Sequence, residues 1–378
     1  LLYWLLYEKL FPFFHPFRIF HFLTFRTAFA FLTALLIALL IGPYVIQKLH
    51  EFQIGQFVRT DGPQSHLKKA GTPTMGGVLI VIAILLPTAL WSDPANPFVW
   101  ITIFSTLAFA AIGFTDDYIK VVKKRSLGLT ARAKMGWQAL AAASVAAMLS
   151  GLAQFGMFST KLSVPFAKHF RPDMLWHGAL GIPHLGFLAF VPFVIWVMLV
   201  LVGSSNAVNL TDGLDGLAIG CTIIAAGALT VLTYVSSHVV FADYLELQRI
   251  PQVAELTVFC GAMVGASIGF LWYNAHPAEI FMGDVGSLAL GGAIGTVAVV
   301  IRQELLLPFI GGIFIIEALS VMLQVGSYKL RNKKRIFKMA PLHHHFEQCG
   351  WHESKVIARF WILALVFALF ALTTLKLR

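Results

Sequence analysis

Residues 203 to 216 read G-S-S-N-A-V-N-L-T-D-G-L-D-G and lie between two apolar runs. Asp212 and Asp215 stand three apart, with Asn206, Asn209 and Thr211 just upstream. Acidic and amide groups at the edge of an apolar phase must be met by water, protein, metal or ligand, which makes the stretch a site candidate. A second acidic point is the adjacent pair Asp116 and Asp117 in G-F-T-D-D-Y. Like charges side by side repel unless a cation or water relieves them, and the end of a helix here would disfavour anions further. A metal or a nearby Lys resolves that conflict; a solvated helix end is the plainer alternative. The third point is Asp284 in F-M-G-D-V-G-S, where Gly283 and Gly286 permit close backbone approach. A turn followed by a helix cap would give the same letters. Acidic residues at three such edges fit Mg²⁺, which takes few carboxylates and leaves positions for water and diphosphate oxygens.

Basic groups complete the inventory. Residues 329 to 347 read K-L-R-N-K-K-R-I-F-K-M-A-P-L-H-H-H-F-E. The basic run serves as a topology anchor at lipid headgroups. His343, His344 and His345 could form a polar turn, a transition-metal site, or a set of phosphate-binding and proton-handling groups. A zinc site would want nearby Cys or spaced His, so phosphate chemistry suits the surrounding Lys and Arg better. Lys68 and Lys69, before G-T-P-T-M-G-G, could grip a phosphate or a base carbonyl, or serve topology alone. The segment lacks the Lys after glycine that a P-loop requires.

The elements that carry these residues must be membrane spans. Of 378 residues, 58% are hydrophobic and 12% charged, too apolar for an ordinary soluble domain. Spans of roughly 20 residues are expected near 25–46, 75–91, 98–115, 135–154, 187–205, 216–236, 255–273, 286–301, 305–327 and 356–374. An aromatic-rich interfacial segment, 1–24, precedes them. The fold class is thus an all-α polytopic membrane protein of about ten transmembrane helices, one domain over 1–378.

The net charge of +10 reflects loop bias and not nucleic-acid binding. Loops after odd-numbered spans carry four (47–74), six (116–134) and seven (328–355) Lys and Arg, while 204–215 and 274–285 carry none. The positive-inside rule puts these loops in the cytoplasm and both termini outside. Acidic loops among basic ones suit a divalent cation and a phosphorylated substrate in one cytoplasmic-face cleft. Cys221, Cys260 and Cys349 give neither a disulfide framework nor a metal pair. No cleavable signal peptide is evident, and a trimmed N-terminus is expected from the absence of a first Met.

Taken together, T-P-T-M-G-G (72–77), F-T-D-D-Y (114–118), N-A-V-N-L-T-D-G-L-D-G (206–216), F-M-G-D-V-G-S-L-A-L-G (281–291) and M-A-P-L-H-H-H-F-E (339–347) resemble the phospho-N-acetylmuramoyl-pentapeptide transferase family. That family lies within the polyprenyl-phosphate N-acetylhexosamine-1-phosphate transferase superfamily. The resemblance covers essentially the whole chain, with no visible departure from the motifs. It implies transfer of phospho-MurNAc-pentapeptide from UDP-MurNAc-pentapeptide to undecaprenyl phosphate, giving lipid I and UMP in peptidoglycan synthesis, with Mg²⁺ required. It implies catalytic roles for Asp116, Asp117, Asp284 and His343, with Asp284 as metal ligand. Substrate binding would fall to Lys69, Thr74, Asn209, Asp212, Gly213, Leu214, Asp215, Asn274, Phe281, His344 and His345, with Phe281 stacked on uracil. The implied location is the bacterial cytoplasmic membrane, among membrane lipid and without nucleic acid, and a homodimer is one of the assembly states left open. Direct attack by undecaprenyl phosphate, assisted by Asp116, and a covalent Asp intermediate both remain routes.

Two rival readings carry distinct expectations. A transferase of GlcNAc-1-phosphate onto the same lipid would share the Asp loops but lack P-L-H-H-H-F-E. A nucleotide-sugar transporter would show internal repeats and midplane polar sites, whereas the polar residues here crowd one face. Glu317 lies inside the ninth apolar run, which also holds Gly311, Gly312 and Gly326. An ionised carboxylate there is costly, so Glu317 is expected to be paired, protonated or turned to a polar groove. A bend at the glycine pair would open a lateral route for the polyprenyl tail.

Overall fold

Each of the ten apolar runs becomes a helix, because a chain with no water around it must satisfy its backbone polar groups internally. The computed structural model describes residues 1–52, 71–123, 127–167, 170–176, 178 and 186–376. The long helices are α1 (Leu23–Glu51), α2 (Gly77–Trp91), α3 (Pro97–Val122), α4 (Ala131–Gln154), α5 (Val191–Thr211), α6 (Leu217–Ser237), α7 (Ala254–Asn274), α8 (Gly283–Val300), α9 (Gly312–Leu330) and α10 (Glu353–Thr373). Among the described residues, nine are long and apolar enough to cross a membrane. The remaining helix, α2, has 15 residues, or about 22 Å at 1.5 Å per residue.

α7 and α8 form the centre and are buried over most of their length. α7 packs against α1, α2 and α6, while α8 packs against α2, α3 and α5. α4 and α9 lie against α5, and α10 lies against α6. Close crossings at the heart of this arrangement depend on glycine. A Cβ on Gly77 would overlap the Gly286 backbone nitrogen, and one on Gly113 would overlap the Asp284 carbonyl. The N-terminal end of α8 is thereby drawn against both α2 and α3, as small residues allow between membrane helices.

At the opposite end of the bundle, Arg26 of α1 and Glu255 of α7 form a buried two-pronged pair at 2.6 and 2.8 Å. Arg26 also donates to the Trp91 carbonyl at the end of α2, and Asp93 N donates to Glu255. The expected interfacial segment consists of two short helices, Trp4–Leu10 and His15–His21. Its Tyr3 ring covers the Arg26 guanidinium at 4.2 Å.

Two boundaries differ from the sequence expectation. α3 continues to Val122, so Asp116 and Asp117 lie within its last two turns and not beyond its end. The hydrophobic run stops at 115, but the helix is extended by the acidic and basic residues that pair across it. The ninth span is interrupted: a short helix, Leu307–Ile310, ends at Gly311, and α9 starts at Gly312. Gly312 also admits the ring of Phe367 from α10, which a Cβ would overlap.

Candidate active site

The aspartates of α3 and α8 meet because glycine lets the two helices touch. One oxygen from each of Asp116, Asp117 and Asp284 lies within 4.8 Å of the others. Asp116 and Asp117 are almost fully buried, and Asp284 occupies the first turn of α8, where the helix N-terminus favours negative charge. The Asp116 Oδ1 accepts from Leu129 N at 2.7 Å, and Asp117 Oδ2 accepts from Val285 N at 3.3 Å. Asp284 Oδ1 accepts from Asn209 Nδ2 at 2.6 Å, and the same amide donates to Ser287 Oγ at 2.8 Å.

Two lysines answer the repulsion between these carboxylates. Lys120 Nζ lies 2.7 Å from Asp116, 3.2 Å from Asp117 and 2.8 Å from Asp284. Lys134 Nζ, from the first turns of α4, lies 2.8 Å from Asp284 and 3.8 Å from Asp116. Neither lysine was singled out as a site residue from the sequence, where both were counted as loop charge. The signal was present: Lys120 follows Asp117 by three and Asp116 by four, neighbouring positions once the helix runs past 115.

Asp212, just beyond α5, adds a fourth carboxylate. Burial first, and then the charges of Asp284, Asp117 and Asp215, push its carboxyl up to about 8.

The remaining sequence candidates gather around this cluster. Phe281 N donates to Pro73 O, and Gly76 N and Gly77 N donate to the carbonyls of Phe281 and Met282. This backbone pairing joins T-P-T-M-G-G to F-M-G-D and sets Thr74 beside Gly283, whose φ of +70° suits glycine. Asn274, buried, accepts from Gly216 N and donates to Ile280 O, which ties the 212–216 turn to the loop bearing Phe281. Gly216 has φ +79°. Leu214 is buried in the hydrophobic core. Asp215 accepts from His276 Nδ1 and Ala278 N, and its own N donates to Glu353. Asp215, His276 and Glu353 also converge within 4.8 Å, with the imidazole between the carboxylates at 3.1 and 3.6 Å. Lys68 and Lys69 lie outside the described residues.

The three histidines separate in role. All lie on the short helix Leu342–Gln348. His344 pairs with Glu347 at 2.8 Å, and His345 Nδ1 accepts from Lys338 N. His343 is fully buried, with Nδ1 3.3 Å from Glu317. Glu317 has one oxygen, Oε1, met by the backbone N of His343.

Three carboxylates offering hard oxygen donors within one ion's reach fit Mg²⁺, whose ligands sit at about 2.1 Å. The fit is supported by Lys120, whose ammonium already meets all three carboxylates as a cation would.

Comparisons with known proteins give the family. Residues 99–302 match Glycosyl transferase family 4, and residues 69–81 match Phospho-N-acetylmuramoyl-pentapeptide-transferase signature 1. Proteins named phospho-N-acetylmuramoyl-pentapeptide-transferase from Acidobacterium capsulatum, Koribacter versatilis and Solibacter usitatus are 78%, 70% and 61% identical to this chain. Each match covers 100% of both chains. With its aspartate loops assembled at one end of a helical bundle and its whole length matched, this chain belongs to the phospho-N-acetylmuramoyl-pentapeptide-transferase family.

Proposed function

We propose that this chain transfers phospho-MurNAc-pentapeptide from UDP-MurNAc-pentapeptide to undecaprenyl phosphate, yielding lipid I and UMP, as a Mg²⁺-dependent enzyme of the bacterial cytoplasmic membrane. The observation that carries the reading is the convergence of Asp116, Asp117 and Asp284 with Lys120 and Lys134 in a chain so similar to enzymes of that name. The reaction joins two anions. Charge neutralisation and alignment are therefore the main demands on the protein.

A lipid phosphate oxygen forms a bond to the sugar-bearing phosphorus as the bond to the UMP oxygen breaks. Lys120 and Lys134 offset the repulsion between the incoming phosphate and the diphosphate. Asp116, held by Leu129 N, takes the proton from the attacking phosphate in a direct displacement. Asp284, with Asp117 beside it, would hold Mg²⁺, which when bound would neutralise diphosphate oxygens and stabilise the departing UMP. Uridine is bound by the 212–215 turn, Asn274, Thr74 and the ring of Phe281, with Lys69 from the segment before Gly71. His344, His345 and the basic residues beside them face phosphate. The site faces the cytoplasm, in keeping with the Lys and Arg bias of the loops around it. The lipid tail stays in the bilayer along α9, where Leu319, Met322 and Leu323 are exposed.

The test is release of UMP by the detergent-solubilised protein, with and without Mg²⁺, using undecaprenyl phosphate and either UDP-MurNAc-pentapeptide or UDP-GlcNAc. Turnover with the first sugar nucleotide only, and only with Mg²⁺, is expected. Preference for UDP-GlcNAc would move the chain to the GlcNAc-1-phosphate class, and absence of UMP release together with sugar-nucleotide uptake by the protein reconstituted into sealed vesicles would make it a transporter.

A further inference from the structure

Three segments distant in sequence meet behind the 212–216 turn. Glu317, fully buried on α9, accepts from the backbone N of His343 at 3.1 Å through Oε1, while its Oε2 lies 3.3 Å from the imidazole Nδ1. The His343 ring is itself fully buried, with the ring of His344 at 4.2 Å on one side. Its far edge rests on Gly213: a Cβ there would overlap Nε2 and crowd Cε1 and Cδ2, all atoms of this one ring. The backbone of Gly213 is not among the positive-φ glycines, so its conformation is open to a side chain. The space is not. The three atoms nearest to such a Cβ all belong to His343.

We infer that Glu317 and His343 are positioning residues that act through Gly213: the carboxylate holds the His343 backbone through Oε1, and the imidazole carried there fixes the turn that bears Asp212, Leu214 and Asp215. The ring's burial and its seat on Gly213 assign it to holding this turn. The arrangement also gives the lipid-facing helix α9 a direct contact path to the nucleotide side of the site. The inference rests on the uridine-binding reading given above for the 212–215 turn.

The experiment titrates UMP into the full-length, detergent-solubilised protein by calorimetry and measures kcat, KM and the pH profile of kcat/KM for each variant. Glu317→Gln keeps an acceptor for His343 N and should hold UMP affinity within about threefold, while Glu317→Ala should weaken it about tenfold or more. The loss should enter mainly through KM for the sugar nucleotide, with the limbs of the pH profile retained. Gly213→Ala should weaken UMP binding in the wild-type background, yet cost little further in a His343→Ala background, where the obstructing ring is gone. That double-mutant cycle decides the matter if Glu317→Ala does not survive purification.

Additive effects of Gly213→Ala and His343→Ala would overturn the inference. So would a His343→Ala protein that binds UMP normally but loses kcat together with one limb of the pH profile. If the wild-type protein neither binds nor releases UMP, the functional reading itself fails and this inference with it. Normal wild-type binding with unaffected variants sinks the inference alone.

Discussion

Several contacts converge on Asp284: two ammonium groups, one amide and two further carboxylates surround it. Removing its charge leaves Lys120 and Lys134 partly unmatched but preserves an acceptor for Asn209. Asp284→Asn should therefore fold, retain a thermal transition near that of the parent, and lose about two to three decades of turnover, the range typical of losing one electrostatic stabiliser at a reacting group. Near-normal Mg²⁺-dependent UMP release from the purified variant would remove Asp284 from the metal site. Phe281 offers a different handle, since its backbone is fixed by Pro73 and Gly76 and its ring is only partly buried. An aromatic platform contributes about 1 to 3 kcal/mol per stacked base. Phe281→Ala should accordingly weaken a uridine-containing inhibitor by roughly one to two decades in calorimetry, and unchanged affinity would show that the base lies elsewhere.

Among elements, the crossing of α2 and α8 backs the first turn of the helix that carries Asp284. A methyl group on Gly77 would press on the backbone of Gly286, and backbone cannot rotate away as a side chain could. Gly77→Ala should cost about 1 to 3 kcal/mol, the usual penalty for overpacking, seen as a lower unfolding temperature in detergent. Turnover should fall as well, because Gly286 follows Asp284 by two residues. A variant with parental stability and activity would mean that the two helices part easily.

The connection between α8 and α9 provides a second test of element-level electrostatics. Burial raises the Glu304 carboxyl to about 7 from 4.5, against the lowering effects of its hydrogen bond from Trp196 and of Arg302. Because the folded acid holds its proton more tightly than the unfolded one, the penalty for ionising it is absent below about pH 4.5 and complete above about pH 7. Stability should thus be lost as pH rises through that window, by up to on the order of 3 kcal/mol. Glu304→Gln carries no such charge. Its unfolding temperature should match the parent near pH 4.5 and exceed it at pH 8; equal pH dependence of the two proteins would contradict the burial argument.

At the scale of the whole molecule, the orientation proposed from loop charge can be read with the native cysteines. Cys349 is exposed, near the histidine helix, whereas Cys221 and Cys260 are buried. A membrane-impermeant thiol reagent should label Cys349 in inside-out vesicles and leave it unmodified in sealed spheroplasts. The reverse pattern would turn the site to the outer face.

The order of the apolar helices, nine of them among the described residues long and apolar enough to cross a membrane, was legible because such helices need long apolar runs and polar breaks, both local properties of a chain. The site candidates Asp116, Asp117, Asp212, Asp215 and Asp284 were legible for the same reason, as acidic groups out of place at apolar boundaries. Other features depend on separations of many residues and left no local mark. That Lys134 meets the aspartates depended on α4 bringing it beside α8. The pairing of Asp215 with His276 and Glu353, and the burial of His343 between Glu317 and Gly213, joined loops up to 138 residues apart. Sequence could name the acidic residues and the glycines, since each is unusual where it stands. Only tertiary packing could decide which carboxylates share a cation, because that choice is made by how closely α2, α3 and α8 approach, and that approach is set by side chains that are absent.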